Sequence, residues 1–243
     1  ADYTTDARHP EPTRGMQMIP TDVLFDAVAA FDAAGYRIKI HTAGDGSVQL
    51  ALDAIAHARE QNGNRDLPIS LAHAGYIAEQ DIPRFKALNA VADFTPYLWY
   101  PRPIIDSVVQ AVGEPRGSQY WPTKDLLAAD APINGGSDWP AAAADMNPWP
   151  AIEALVTRKH PTNGSQDTFW VEQAISLNEA VTLWTTRPAA IMGMDAFAGS
   201  IAVGKSADFV LLSDDLHQIP IEDVSEIKPL QTWFKGQRVF DAR

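Results

Sequence analysis

Apolar residues fall along this chain in two alternating rhythms, one of helical period and one of short continuous runs. Leu24, Val28 and Phe31 share a face of a helix predicted from a Thr21 cap to about Ala34, with Gly35 as its stop. Tyr36 to His41 then reads as a strand, and 45–60 returns to helical period on a stripe of Val48, Leu52 and Ile55. Ile69 to His73 is a second strand, and Ile82, Phe85 and Leu88 mark a third helix. Ala90 to Pro96 is a third strand, ending in the aromatic cluster Tyr97, Trp99 and Tyr100. A proline-containing connection leads to a short helix near 123–130 and a fourth strand over 132–138. Strands and helices alternating in this way predict parallel βαβ units.

From Ser176 the chain reads S-L-N-E, a capping box in which Ser176 and Glu179 satisfy each other's orphan donors. Past Gly193 the character changes. Residues 201–243 are rich in β-formers and turn residues, with a strand over 208–212. Two more, Gln231 to Phe234 and Gln237 to Phe240, are joined by Lys235-Gly236, a two-residue hairpin. The chain therefore divides near residue 198 into an α/β part, 1–198, and a small all-β part, 199–243.

Composition narrows the chemistry. With 46% hydrophobic residues in 243, there is ample material for a core. The absence of cysteine excludes disulfides, thiolate zinc sites, iron–sulfur clusters and a cysteine nucleophile, so any metal must rest on His and carboxylate. A net charge of -12 argues against nucleic acid, whose phosphates need clustered Lys and Arg. No apolar run is long enough to span a membrane. No signal peptide shows at Ala1; a cytoplasmic location is favoured, although the compartment is not determined.

Of six histidines, His41 and His73 close predicted strands, and Asp138 closes the fourth. Active sites of parallel α/β folds form at such strand ends. A (β/α)8 barrel spends roughly 31 residues per unit. His41 and His73 are 32 residues apart and His73 and Asp138 are 65, one and about two units. Strand alternation directs Ile38 and Ile40 to the helices, leaving Arg37, Lys39 and His41 on the interior side. Imidazole with carboxylate suits zinc, iron or manganese, and such a metal activates water for attack on a carbonyl. Singly, each residue has a structural reading: a His closing an apolar strand is commonly a bonded core residue. Gly136-Ser137-Asp138 can be a plain turn, and Gly44-Asp45-Gly46 a helix start with Asp45 as N-cap. Joint placement favours the site. His57 lies off its helix stripe and is expected to be solvated; His9, His160 and His217 fall in loops and are not expected to act.

Four ordered segments carry a family resemblance. HTAGDGSVQLALDAI resembles the fifth-strand motif of the amidohydrolase superfamily, in the YtcJ-like branch called amidohydrolase family 3. LPISLAHAGYIAEQDIPRFKALN is similar to its sixth-strand segment, and INGGSDWP to its eighth-strand Gly-Ser-Asp. GSIAVGKSADFVLLSDD with KPLQTWFKGQRVF resembles the last strands of its accessory β-sandwich. The likeness runs from about Gly15 to Phe240. It implies the C-terminal half of a metal-dependent hydrolase TIM barrel, strands 5 to 8, plus part of that sandwich. It also implies a small amide-type substrate whose C–N bond is cleaved with a divalent metal, zinc foremost. His41 and His73 would be metal ligands, Asp138 a ligand and general base, and Asp45 a residue behind the ligands. Tyr97, Trp99, Trp121 and Trp139 are candidates for the substrate pocket, with core packing as the competing reading for each.

The sequence also departs from the family. Members carry a His-x-His pair on strand 1 and commonly a carboxylated Lys or a carboxylate on strand 4. No two histidines here are two residues apart. The expectation is therefore a C-terminal portion, poorly active or inactive alone, completed by a preceding segment or by a second copy as a homodimer. Two other readings stay open: a non-catalytic half-barrel that binds a ligand or partner, and a deaminase of the same superfamily.

Overall fold

The computed structural model describes residues 11, 13–98, 103–162 and 164–242. Its first part alternates as the periodicity predicts: α1 (Thr21–Ala33), β1 (Ile38–Thr42), α2 (Asp45–Asn62), β2 (Ile69–His73), α3 (Ile82–Leu88) and β3 (Ala90–Phe94). There follow α4 (Pro103–Val112), α5 (Thr123–Ala128) and β4 (Ile133–Gly135), then α6 (Trp149–Thr157), α7 (Leu177–Thr182) and α8 (Thr186–Ile191). The four strands form one sheet in the order β1-β2-β3-β4, all parallel. This is the half-barrel arrangement, each strand offset from the last by a crossover through a helix.

One face of the sheet is covered and holds the core. Val48, Leu52 and Ile55 of α2 are fully buried and pack with Leu71, Ala92, Phe94 and Ile133. Ile38 and Ile40 pack against the same cluster, whereas Lys39 and His41 on the alternate positions are exposed. Arg37 precedes the strand and donates to the carbonyls of Ile191 and Met192 at 2.7 and 2.8 Å, clasping the end of α8.

Several local expectations need correction. Thr21 is the first helical residue and Pro20 occupies the N-cap position, its carbonyl accepting from Leu24 N–H at 3.0 Å. Gly44 likewise caps α2, while Asp45 takes the first helical position, where its charge suits the helix dipole. The fourth strand ends at Gly135: the Gly136 N–H still makes the last ladder bond to the Phe94 carbonyl at 2.8 Å, and the chain leaves the sheet beyond it. Phe31 is 53% exposed, and the buried side of α1 is instead Val28, Ala29 and Asp32. Asp32 is paired with Arg59 of α2 at 2.6 Å, and Asn62 donates to its other oxygen at 3.0 Å, so the α1–α2 contact is partly ionic.

The tail forms a separate antiparallel sheet, β5 (Phe209–Leu212), β6 (Pro229–Phe234) and β7 (Gln237–Asp241). Lys235 and Gly236 join β6 to β7 with φ of 51° and 75°, as a type I′ turn requires. The Ser176–Glu179 capping box is formed. Glu153 of α6 ties the tail back to the first part, accepting from Ser225 N–H at 2.7 Å. No helix among the described residues is long and apolar enough to cross a membrane.

Candidate functional site

β1 and β2 are in register with Thr42 opposite His73, so the two strand tips lie side by side. The His41 and His73 rings meet edge to face with centroids 4.7 Å apart. His73 and Ala74 both have positive φ, 68° and 42°, a sharp left-handed turn off the strand. Two contacts hold it: the Trp121 indole N–H donates to the His73 carbonyl, and Trp121 N–H donates to the Gly75 carbonyl at 2.9 Å. A side chain at position 75 would collide with the Tyr120 ring, so glycine is needed there. Buried Arg158 braces this support, donating to the Tyr120 and Phe169 carbonyls at 2.9 and 2.8 Å.

The Nδ1 of His73 pairs with the Thr95 hydroxyl at 3.0 Å, which leaves Nε2 as its outward nitrogen. A histidine oriented through one nitrogen in this way is arranged to offer the other to a metal. Burial holds the His73 imidazole below its ordinary pKa; the Asp138 carboxylate opposes this, and His41 adds to it. Asp138 is exposed, three residues past β4, with φ of 52°.

Among the described residues, no three His, Asp or Glu side chains converge closely enough to hold a metal ion. The structure brings His41 and His73 together and sets Asp138 within electrostatic reach of His73. The donor chemistry, two imidazoles and a carboxylate, fits zinc, but a closed site takes three or four ligands.

The aromatic candidates separate by burial. Trp121 is fully buried, packed on Phe94 and Tyr120, and supports His73 from behind, so it presents no surface to a substrate. Tyr97 is also buried; its hydroxyl donates to the Asn147 carbonyl, and burial raises its pKa well above the usual phenol range. Trp139, beside Asp138, is 53% exposed. Trp99 lies outside the described residues. Asp45 lines a cleft of about 550 Å³ together with Tyr76, Glu79, Arg116 and Trp170; neither histidine nor Asp138 lines it. His57 is partly buried against Phe25, while its Nε2 pairs with the Gln61 amide at 2.7 Å in an exposed position.

A polar layer that sequence reasoning missed lies on the open face of the sheet. Lys39 reaches Asp93 at 2.5 Å, and Asn134 donates to the other Asp93 oxygen at 3.0 Å. The available signal was Asp93 itself, a carboxylate inside the otherwise apolar strand A-V-A-D-F.

Four consecutive parallel βα units with imidazole and carboxylate groups at their C-terminal ends place the chain in the (β/α)8-barrel class. The sequence profile of the amidohydrolase family matches residues 1–240, and the chain belongs to that family, in its YtcJ-like branch. It is 30% identical over 228 residues to Protein LONG AFTER FAR-RED 3 of Arabidopsis thaliana, covering 93% of this chain and 38% of that protein. It is 25% identical to the putative amidohydrolase YtcJ of Bacillus subtilis, over 94% of this chain and 42% of that one. An N-substituted formamide deformylase of Arthrobacter pascens is 24% identical, over 83% and 36%. The chain thus spans about two fifths of the length of these relatives. Among solved structures, an uncharacterised metal-dependent hydrolase from Pyrococcus furiosus superposes with a TM-score of 0.63 at 24% identity, over 82% of this chain and 38% of that one. An adenosine deaminase from Xanthomonas campestris with bound zinc superposes with a TM-score of 0.64 at 15% identity, over 93% and 50%. The shared fold is the amidohydrolase TIM barrel.

Proposed function

We propose that this chain is the C-terminal portion of a metal-dependent amidohydrolase acting on a small substrate with an amide-type C–N bond. The observation that carries this reading is the His41–His73 contact at the strand tips, with Asp138 within electrostatic reach of His73. His41 and His73 would hold a divalent metal, zinc foremost, together with Asp138. When bound, such a metal lowers the pKa of water toward ~7 and polarises a carbonyl. Asp138, exposed and within electrostatic reach of His73, would take a proton from the attacking water and return it to the departing nitrogen. Hydrolysis then balances: the hydroxyl goes to the carbonyl carbon and the proton to nitrogen. Trp139 is the aromatic placed to meet substrate. The barrel portion is taken as 1–198 and the sandwich portion as 199–243.

The formamide deformylase among its relatives favours N-acyl hydrolysis. A deaminase reading shares the same donors and differs in the bond chosen. A non-catalytic half-barrel is favoured by one observation, the lack of a three-ligand cluster among the described residues. The purified chain is titrated with Zn²⁺ by calorimetry and assayed on N-formyl and N-acyl amines. We expect weak, saturable zinc binding that His41→Ala and His73→Ala abolish, with little or no turnover by the lone chain. Binding unaffected by both substitutions would remove the proposed donors.

A further inference from the structure

The open face of the sheet around the histidines is built differently from an ordinary barrel interior. Barrel interiors are filled mainly by branched apolar side chains in successive layers. Here Lys39, Asp93 and Asn134 meet on that face, from β1, β3 and β4. Register sets their heights: His41, Ala72, Asp93 and Asn134 share one rung, and Lys39 stands two residues lower, on the rung of Ser70 and Val91. Strands two apart are separated by roughly 10 Å. Lys39 crosses that gap over Ser70 and Ala72, whose small side chains leave its path clear.

The pair is costly in a way that packing alone does not explain. The Asp93 side chain is only 9% exposed, and while the Asn134 amide N–H goes to Asp93, its Oδ1 is buried with no hydrogen-bond partner among the described residues. An ion pair with one partner in solvent adds little to stability, whereas it can specify geometry. The strands it joins are those that carry the site: β1 bears His41, β3 leads to Thr95, which holds His73, and β4 leads to Asp138.

We propose that Lys39, Asp93 and Asn134 are positioning residues, a polar brace across the open face of the sheet that fixes the spacing of His41, His73 and Asp138. The inference rests on the reading of those three as metal donors. Because the brace pairs opposite charges, it supplies rigidity with little net field: on the nearby His73 ring, Asp93 and Lys39 act in opposite senses.

Co²⁺ titration of the full chain, read by calorimetry beside the thermal midpoint, tests it with K39M, K39R and the double variant K39M/D93L. The double variant replaces the pair by apolar residues of similar size and should still fold cooperatively. Its Co²⁺ affinity should fall about tenfold or more, as for loss of groups that orient metal ligands. K39M should weaken binding likewise, and K39R, which keeps a cation for Asp93, should recover most of it. Folded variants that bind Co²⁺ as wild type does, with only the midpoint changed, would overturn the proposal. If the double variant does not fold, K39M decides, since its side chain is 62% exposed. If wild type binds no Co²⁺, or binds it equally with His73→Ala, the donor reading fails, and the brace is judged by the His41–His73 ring contact in K39M by NMR. A preserved contact overturns it; a lost contact leaves the brace standing without the metal.

Discussion

A single hydroxyl decides how His73 presents itself. Thr95 binds its Nδ1 at 3.0 Å and so fixes the ring directly. Thr95→Val keeps the shape of the side chain and removes that bond. It should lower Zn²⁺ affinity by about tenfold while leaving the thermal midpoint nearly unchanged, because groups behind a metal ligand act chiefly through its orientation. Calorimetric titration beside a melting curve separates the two effects; equal affinity would mean that the Thr95 contact is incidental. Trp121 works at the same scale from the other side, its indole N–H pinning the carbonyl of the left-handed turn at His73. Neither role shows in the residue type. A threonine after a buried strand and a tryptophan in a connecting loop become supports only once their partners are known.

At the scale of elements, the link between α6 and the 221–226 turn runs through one buried carboxyl. Glu153 is 3% exposed and accepts from Ser225 N–H. Burial pushes its pKa above the ordinary 4.5, Glu222 and Asp223 add to this, and the Ser225 hydrogen bonds oppose it. The folded chain therefore holds this proton more tightly than the unfolded chain. Its contribution to stability is complete below 4.5 and is lost as pH rises through the raised folded value. Denaturant midpoints followed upward from pH 4.5 should decline, and Glu153→Gln should flatten that decline. A Gln variant with the same pH slope would assign the slope elsewhere. The Asp32–Arg59 pair shows a related point: α1 and α2 pack through a buried ion pair where the apolar stripe alone predicted Phe31.

The whole molecule leaves surface that a closed barrel and a full sandwich would cover. The open face of the parallel sheet carries Lys39 and His41, and the small sheet exposes Val210, Phe234 and Val239 at 47%, 54% and 60%. Uncovered edges and apolar faces of this kind favour association. Native mass spectrometry of protein purified without chelator should show multiples of 26.5 kDa, or an added polypeptide with zinc-sized mass. A metal-free, monodisperse single chain at all concentrations would sink the expectation of completion in trans. A chain spanning about two fifths of its relatives gives that measurement its weight.

What could be read from sequence was local. The βα alternation, the Ser176–Glu179 box and the Lys235-Gly236 hairpin depend on spacings of two to four residues, and each is present. The strand-end positions of His41 and His73 followed from the same periodicity, and the family from four ordered motifs. The His41–His73 contact, the Thr95 bond and the Lys39–Asp93–Asn134 layer were decided only by tertiary structure. They depend on register between strands more than 20 residues apart in the chain, and no window of sequence encodes which rung of one strand faces which rung of the next. Burial made the same division among the aromatics, turning Trp121 inward and Trp139 outward.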